Sequence, residues 1–292
     1  MDSGSIEVEG IIEEGYYQID KLETGYPVEP IATLLIVPDV DEFSHGQWDA
    51  ATIAKSVLTP AADRKFDNGA CVHKGQDGAS WVAERLQETV KAPVVVDGSF
   101  TLDRHYVFNL GETYLDGCWK VLSAAGWCLQ ISDRGVVRVM PVPSTPSVVY
   151  DSSVVRDQIG HSIPIDDVYN VVRVWDGKNV AEAINDDPDS PTSIRNRNGR
   201  RIEYTEESPA LVDGETLDDY ANRKLDEFSA IYETYEIERD WIAGTLPYTC
   251  ARVYLPEAQT QCVCSVMRQE IECKTGISVR ETVGRRADGK RV

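Results

Sequence analysis

No apolar run in the chain approaches the roughly 18 residues needed to span a bilayer, and the opening MDSGSIEVEG has neither the basic nor the apolar region of a secretory leader. Membrane insertion is therefore not expected, and the chain is expected to fold in a cytoplasm. Cysteine is sparse and odd in number, seven in 292 residues, which does not make a disulfide framework. Basic residues are outnumbered, 29 against 49 acidic, for a formal net charge of -20. A sequence-independent grip on nucleic acid needs clustered Lys and Arg to displace counterions, so that class is excluded, and binding to an anionic membrane surface is disfavoured.

The signatures of common chemistry are also missing. None of G-x-S-x-G, G-x-x-x-x-G-K-[ST], G-x-G-x-x-G or H-E-x-x-H occurs. The Lys274–Gly276 tripeptide KTG has no S-x-x-K to work with. The four histidines, His45, His73, His105 and His161, stand apart from each other and from any Cys or carboxylate at ligand spacing, so they read as structural or merely exposed.

What is present is an ordinary globular composition, 42% hydrophobic and 27% charged, over a length that predicts roughly two domains. Residues 1 to about 70 alternate short apolar segments (IEVEGII, GYYQIDKL, IATLLIVPDV) with Gly, Pro and acidic breaks, the pattern of strands and loops. The period then changes. Val82, Leu86 and Val90 recur every four residues with Asp77 available as a cap, which predicts a helix from about Ala79 to Val90. A strand, PVVVDG, follows. Leu115, Cys118, Trp119 and Leu122 then mark one helical face, closed by Gly126. WCLQIS and VVRVMPV, joined by DRG, read as a hairpin. Trp81, Trp119 and Trp127 fall within these periodic segments and read as packing residues.

The Pro-rich stretch Met140–Ser147 is the best boundary in the chain. Beyond it lie a strand in VYNVVRVWDG, another in GRRIEYTEES, and a helix from Glu215 to about Ile231 with Leu217, Ala221, Leu225 and Phe228 on one face. The period then drops to two at Tyr235, Ile237, Arg239 and Trp241, a half-buried strand. Three further strands are expected in TCARVYLPE, QCVCSVMRQEIECK and GISVRETVG, before a short basic tail. The expected division is an N-terminal β region over 1–74, a small α+β domain over 75–146 and a C-terminal barrel-like domain over 147–292.

Three constellations could carry chemistry. Asp186, Asp187 and Asp189 crowd the segment AINDDPDSPTS, residues 183–193, and could coordinate a hard cation. Counted from Asp187 as an EF-hand loop, the segment puts Pro191 at position 5, Thr192 at position 6 and Asn198 at position 12, so the ligand pattern fails. Pro188 and Pro191 argue for a stiff turn, with an irregular cation site the alternative. Cys250, Cys262, Cys264 and Cys273 offer four thiols to zinc, but the single residue inside CVC is shorter than the usual knuckle, and core packing is the competing reading. Glu112 and Asp116 lie one helical turn apart and could act as acid and base, or form a solvated face. No catalytic residue, metal or cofactor is assigned from these.

The ordered segments SVLTPAADRKF, HKGQDGASWVAERLQ, GSFTLDRHYVFNLGETYLDGCWKVLSAAGWCLQI, VYNVVRV, AINDDPDSPTS and GETLDDYANRKL together resemble the tail-hub proteins of Gram-positive phages and prophages, over about residues 50 to 285. No single motif is a chemical fingerprint. The resemblance implies an α+β, mainly β fold, with barrel-like tube domains and an inserted small α+β domain. It implies a homotrimeric ring with pseudo-sixfold symmetry that continues the tail tube and joins distal tail and tip or spike proteins. It also implies a virion protein assembled in the host cytoplasm, whose lumen passes the genome without specific binding. Members carry more sequence ahead of the matched region, so a reduced or incomplete first barrel is expected over residues 1 to 70. The rival expectations are a tail-associated enzyme acting on the cell wall and a receptor- or carbohydrate-binding tail module.

Overall fold

A computed structural model of the chain describes residues 3–9, 13–22, 24–44, 47–67, 69–163, 166, 168–207, 209, 211, 215–256, 260–273 and 277–286. His45, the KTG tripeptide and most of the basic tail lie outside them. The fold is mainly β and forms two compact units, Met1–Val142 with Ile242–Leu246, and Pro143–Trp241 with Pro247–Val292.

In the first unit, β1 (Ser3–Glu9), β2 (Gly15–Lys21), β3 (Glu29–Ser44) and β4 (Gln47–Lys55) make an antiparallel sheet in the order β1-β4-β3-β2. A short helix, α1 (Thr59–Asp63), follows where the sequence predicted only strand and loop. Pro60 explains it: proline in a first helical turn has its φ already set and forfeits an N–H that no helix partner needs. β5 (Cys71–Val72) leads to α2 (Gly78–Gln87), whose cap is the expected Asp77, its carboxylate accepting from the Ala79 N–H at 3.1 Å. The helix stops short of Val90, which still closes a loose last turn by donating its N–H to the Leu86 carbonyl at 2.7 Å.

β6 (Val94–Val96) and β7 (Tyr106–Val107) precede α3 (Tyr114–Ala125). This helix starts in a reciprocal capping box between Thr113 and Asp116 and ends at Gly126, whose φ of 70° is the left-handed conformation that glycine adopts without penalty. The expected hairpin is β8 (Trp127–Ile131) against β9 (Val137–Pro141), and β6 joins β9 in parallel to give the order β6-β9-β8.

The core of this unit gathers Val82 and Leu86 of α2, Leu115, Cys118, Val121 and Leu122 of α3, and Leu129, Val137 and Val139 of the hairpin. Beside it Phe66 stacks between Phe108, at 4.3 Å, and Tyr114, at 4.5 Å. Gly117 is where α3 meets that stack.

In the second unit, β10 (Val148–Asp151) and β11 (Val155–Ser162) are followed by a three-stranded sheet of β12 (Val171–Trp175), β13 (Val180–Ile184) and β14 (Glu203–Glu207), ordered β13-β12-β14. α4 (Leu217–Phe228) covers one face of it, packing Tyr220, Ala221 and Leu225 on Val172, Val174, Ala181 and Ala183. Its capping box, Thr216 with Asp219, sets its start inside the expected span.

β15 (Tyr232–Asp240), β16 (Cys250–Leu255), β17 (Thr260–Glu272) and β18 (Ser278–Arg286) then join β10 and β11 in a nearly closed, barrel-like sheet ordered β10-β16-β17-β18-β15-β11. Only the β10–β16 ladder is parallel.

The alternation expected in β15 holds, and it buries a charge. Tyr235, Ile237 and Arg239 point inward, and Arg239 has 0% of its surface exposed. Its partner is Glu281 of β18, also fully buried: Arg239 donates Nε–H to Glu281 Oε2 at 3.0 Å and a second N–H to Oε1, while Gln269 of β17 donates to Oε1 at 2.7 Å. The Tyr150 ring of β10 lies 5.5 Å from the guanidinium carbon. Burial, then the Glu281 carboxylate beside it, pushes the Tyr150 hydroxyl well above its ordinary pKa.

Two stability experiments follow from this packing. Glu281→Gln strands a buried guanidinium and is expected to lower unfolding free energy by about 3–5 kcal/mol in urea titrations, whereas Arg239→Met with Glu281→Leu removes both charges and should cost far less. Gly117→Ala gains about 1 kcal/mol of intrinsic helix propensity, but its Cβ would fall 2.5 Å from the Phe66 ring and 3.0 Å from Phe108. Overpacking of about 1–3 kcal/mol outweighs that gain, so the variant should melt below the wild type.

Candidate functional site

The surfaces available for association are strand edges. Among the described residues β10 and β11 are the unbonded ends of the six-stranded sheet, β13 and β14 of the three-stranded one, and β1 and β2 of the four-stranded one. Such edges present a row of backbone donors and acceptors that another chain can extend. On the outer face of the barrel-like sheet, register aligns Val149, Arg252 and Val263 in one cross-strand row and Asp151, Tyr254 and Gln261 in the next. Val149, Tyr254 and Val263 are exposed there, with Met267 further along β17.

The outer face of the three-stranded sheet is instead an ion-pair lattice. Arg201 bonds Glu182 at 2.9 Å and Glu203 at 2.8 Å, and Arg173 pairs with the same two carboxylates. Beside it Trp175 and Val180 face each other across β12 and β13, both exposed. A cavity of about 440 Å³ on the barrel is lined by Glu238, Glu270, Ile271, Glu272, Ser278 and Arg280, with no His or Cys in its wall.

The aspartate segment is a hydrogen-bonded loop built on a buried amide. Asn170, fully buried at the entrance to β12, donates to the carbonyls of Thr192 at 3.1 Å and Arg200 at 2.9 Å and accepts from the Ile202 N–H at 2.7 Å. Asn196 donates to the carbonyls of Pro188 and Ser190, both at 2.8 Å. Asp187 accepts from the Asp189 N–H at 2.9 Å, and Asp186 pairs with Arg195 at 3.1 Å. All three aspartates are exposed and do not converge on a common point.

The four C-terminal cysteines are separated by strand geometry. Cys262 and Cys264 share the inner face of β17 with their sulfurs 3.4 Å apart, Cys250 opposes Ser265 on the other face, and Cys273 is exposed past the strand end. The bond from Cys264 lowers the pKa of the Cys262 thiol against the opposing effect of burial, with the Arg285 charge and the Tyr235 hydroxyl adding to it, and the same bond raises that of Cys264. Nearby, Glu233 accepts from Tyr235 at 2.7 Å, Arg285 at 2.6 Å and His161 at 3.0 Å. Burial opposes ionisation of Glu233, but those bonds hold its carboxyl below the usual range.

Glu112 and Asp116 are likewise structural: Asp116 completes the α3 capping box, and Glu112 accepts from the Asn109 N–H at 2.9 Å and sits 3.6 Å from Lys120. Elsewhere burial pushes the Cys118 and Cys128 thiols up to about 12, which keeps them protonated and inert.

The three described histidines, His73, His105 and His161, are not isolated, contrary to what their spacing in sequence suggested. His73 and His105, 32 residues apart, meet across β5 and β7 with Nδ1 atoms 3.2 Å apart, and Cys71 Sγ lies 3.7 Å from His73 Nε2. His161 stacks on Tyr235 at 4.9 Å as well as bonding Glu233. Linear spacing cannot show such pairs, because strand register makes them. Cys71-x-His73 in an alternating stretch was the one visible sign.

No protein-family model matches the chain. No curated protein matches it either. Solved structures do. The 43 kDa tail protein of prophage MuSo2 from Shewanella oneidensis superposes with a TM-score of 0.60 at 11% identity, covering 96% of this chain and 89% of that one. The tail protein from Neisseria meningitidis MC58 gives 0.60 at 14% identity, covering 98% and 92%. At these identities the likeness is one of fold: the chain has the architecture of phage tail proteins across nearly its whole length.

The role of Asn170 in the loop can be tested directly. Asn170→Ala removes three hydrogen bonds made by a buried amide and should destabilise the protein by about 2–3 kcal/mol. Limited proteolysis should then cut between residues 185 and 200 well before it cuts the wild type.

Proposed function

We propose that this chain is a non-enzymatic structural component of a phage tail, a hub subunit that closes the distal end of the tail tube and joins it to the tip. The observation that carries the reading is the nearly closed six-stranded sheet with unbonded end strands, in a fold shared over most of its length with two tail proteins. A closed ring of copies, three with pseudo-sixfold symmetry, would satisfy those edges without leaving a free one to aggregate. In this reading the four-stranded sheet of β1 to β4 is the reduced first tube element. The distal tail or tube protein and the tip or spike protein bind the two ends of the ring, and assembly takes place in the host cytoplasm before the virion leaves.

The acidic balance supports the same role. A conduit rich in carboxylates repels phosphate, so the genome slides through without specific binding. Of the carboxylates that could suggest catalysis, Asp116 completes a helix cap and Asp187 closes a turn, which is consistent with a scaffold.

Light scattering with negative-stain imaging tests the proposal. The expected result is a species of about three times the 32.5 kDa chain mass, visible as a ring, alone or with neighbouring tail proteins. A monomer at every concentration, with no ring beside those proteins, would overturn it. Hydrolysis of purified cell wall by this chain alone would point instead to a tail-associated enzyme.

A further inference from the structure

We propose that His73 and His105 form a two-imidazole clip for a divalent transition-metal ion such as zinc or nickel on the surface of the N-terminal unit. Register creates it. β5 and β7 pair with Cys71 opposite Val107 and Val72 opposite Tyr106, and one more step of that pairing sets His73 opposite His105. The rings stand nearly perpendicular, at 80°, with Nδ1 facing Nδ1 across 3.2 Å. Two imidazole nitrogens bound at about 2.0–2.1 Å to one tetrahedral ion lie about 3.3–3.4 Å apart. The bite of the pair therefore suits one ion with almost no movement of the backbone.

The hydrogen bonds around the pair define what the ion replaces. The Lys74 N–H donates to His105 Nδ1 at 3.3 Å, so that nitrogen is an acceptor and the proton between the two rings belongs to His73. His73 Nε2 then accepts from the Cys71 thiol. This assignment rests on satisfying the network. On metal binding His73 changes tautomer: its proton moves from Nδ1 to Nε2 through solvent, the new Nε2–H donates a hydrogen bond to the Cys71 sulfur, and both Nδ1 lone pairs turn to the ion. Each ring stays neutral and no net proton is released. The ion replaces the hydrogen bond between the two rings and the long one from Lys74, and the contact between Cys71 and His73 Nε2 reverses its direction.

The surroundings permit a cation. Asp103 bonds Arg104 through both oxygens, at 3.1 and 3.0 Å, and also feels the Lys74 charge, which offsets the cations next in the chain to His105 and His73. His73 is exposed and His105 half-buried, so an ion reaches them from solvent. Among the described residues two protein donors converge, and water would fill the remaining positions. Imidazole donors favour zinc, nickel or copper over calcium and magnesium, which take oxygen.

Isothermal calorimetry on the full chain, with zinc or nickel chloride and a non-thiol reductant, tests the clip. The expected result is an equivalent of bound metal that weakens roughly 10- to 100-fold or disappears in His73→Ala and in His105→Ala, survives in His161→Ala and Cys71→Ser, and is not reproduced by calcium chloride. Absence of zinc and nickel binding to the wild type, or binding unchanged in His105→Ala, overturns the proposal. If an alanine variant does not fold, imidazole nitrogen NMR of the wild type supplies the same decision: both Nδ1 resonances move on adding zinc, or the proposal fails.

Discussion

The second unit depends on one buried ion pair. Arg239 and Glu281 are charges with no access to water, and each is tolerable only because the other lies within hydrogen-bonding distance, with Gln269 and the Asp240 carbonyl taking up further bonds. That requirement ties β15, β17 and β18 into one register. A slip of a single residue in any of them would turn the charge outward or leave its partner bare, a far larger penalty than displacing a Val or Ile. The apolar rows of the barrel supply most of the driving force; the ion pair selects which of the several possible alignments they adopt.

The first unit is specified by shape instead of charge. Its helices meet the sheet through Val82, Leu86, Leu115 and Leu122, and the Phe66–Phe108–Tyr114 stack occupies the space that Gly117 leaves. α2 and α3 each begin at a side chain that bonds the first free N–H groups, Asp77 and Thr113. These are local solutions, complete within a few residues of the helix they serve. In the proposed assembly the contacts fall to what remains on the surface, the backbone at the sheet edges and the exposed side chains of Val149, Val263 and Tyr254.

That contrast accounts for how much could be read from the chain alone. Helices α2, α3 and α4, the β8–β9 hairpin and the alternation of β15 were all visible, because periodicity, caps and turn glycines are short-range features. α1 was missed because five residues carry no measurable period, and only Pro60 hinted at it. The inward direction of Arg239 followed from alternation, yet Glu281, 42 residues later, could not be paired with it without the register of β18. The same limit hid the meeting of His73 with His105. The aspartates of the 183–193 loop drew attention by their charge, whereas the residue that organises the loop is Asn170, a single amide upstream with nothing in its neighbourhood to mark it.

The parallel pairing of β10 with β16 also bears on the order in which the protein forms. β10 and β11 adjoin in sequence but occupy opposite ends of the sheet, and β10 has no ladder partner until Ala251 to Tyr254 have been made. During synthesis the early helices and hairpin can pack at once, while β10 must wait for about a hundred residues of chain to emerge. Glu281 comes later still. A nascent chain halted before that residue holds an unneutralised Arg239 and an unfinished sheet, so closure of the barrel waits on β18 and the carboxylate it brings.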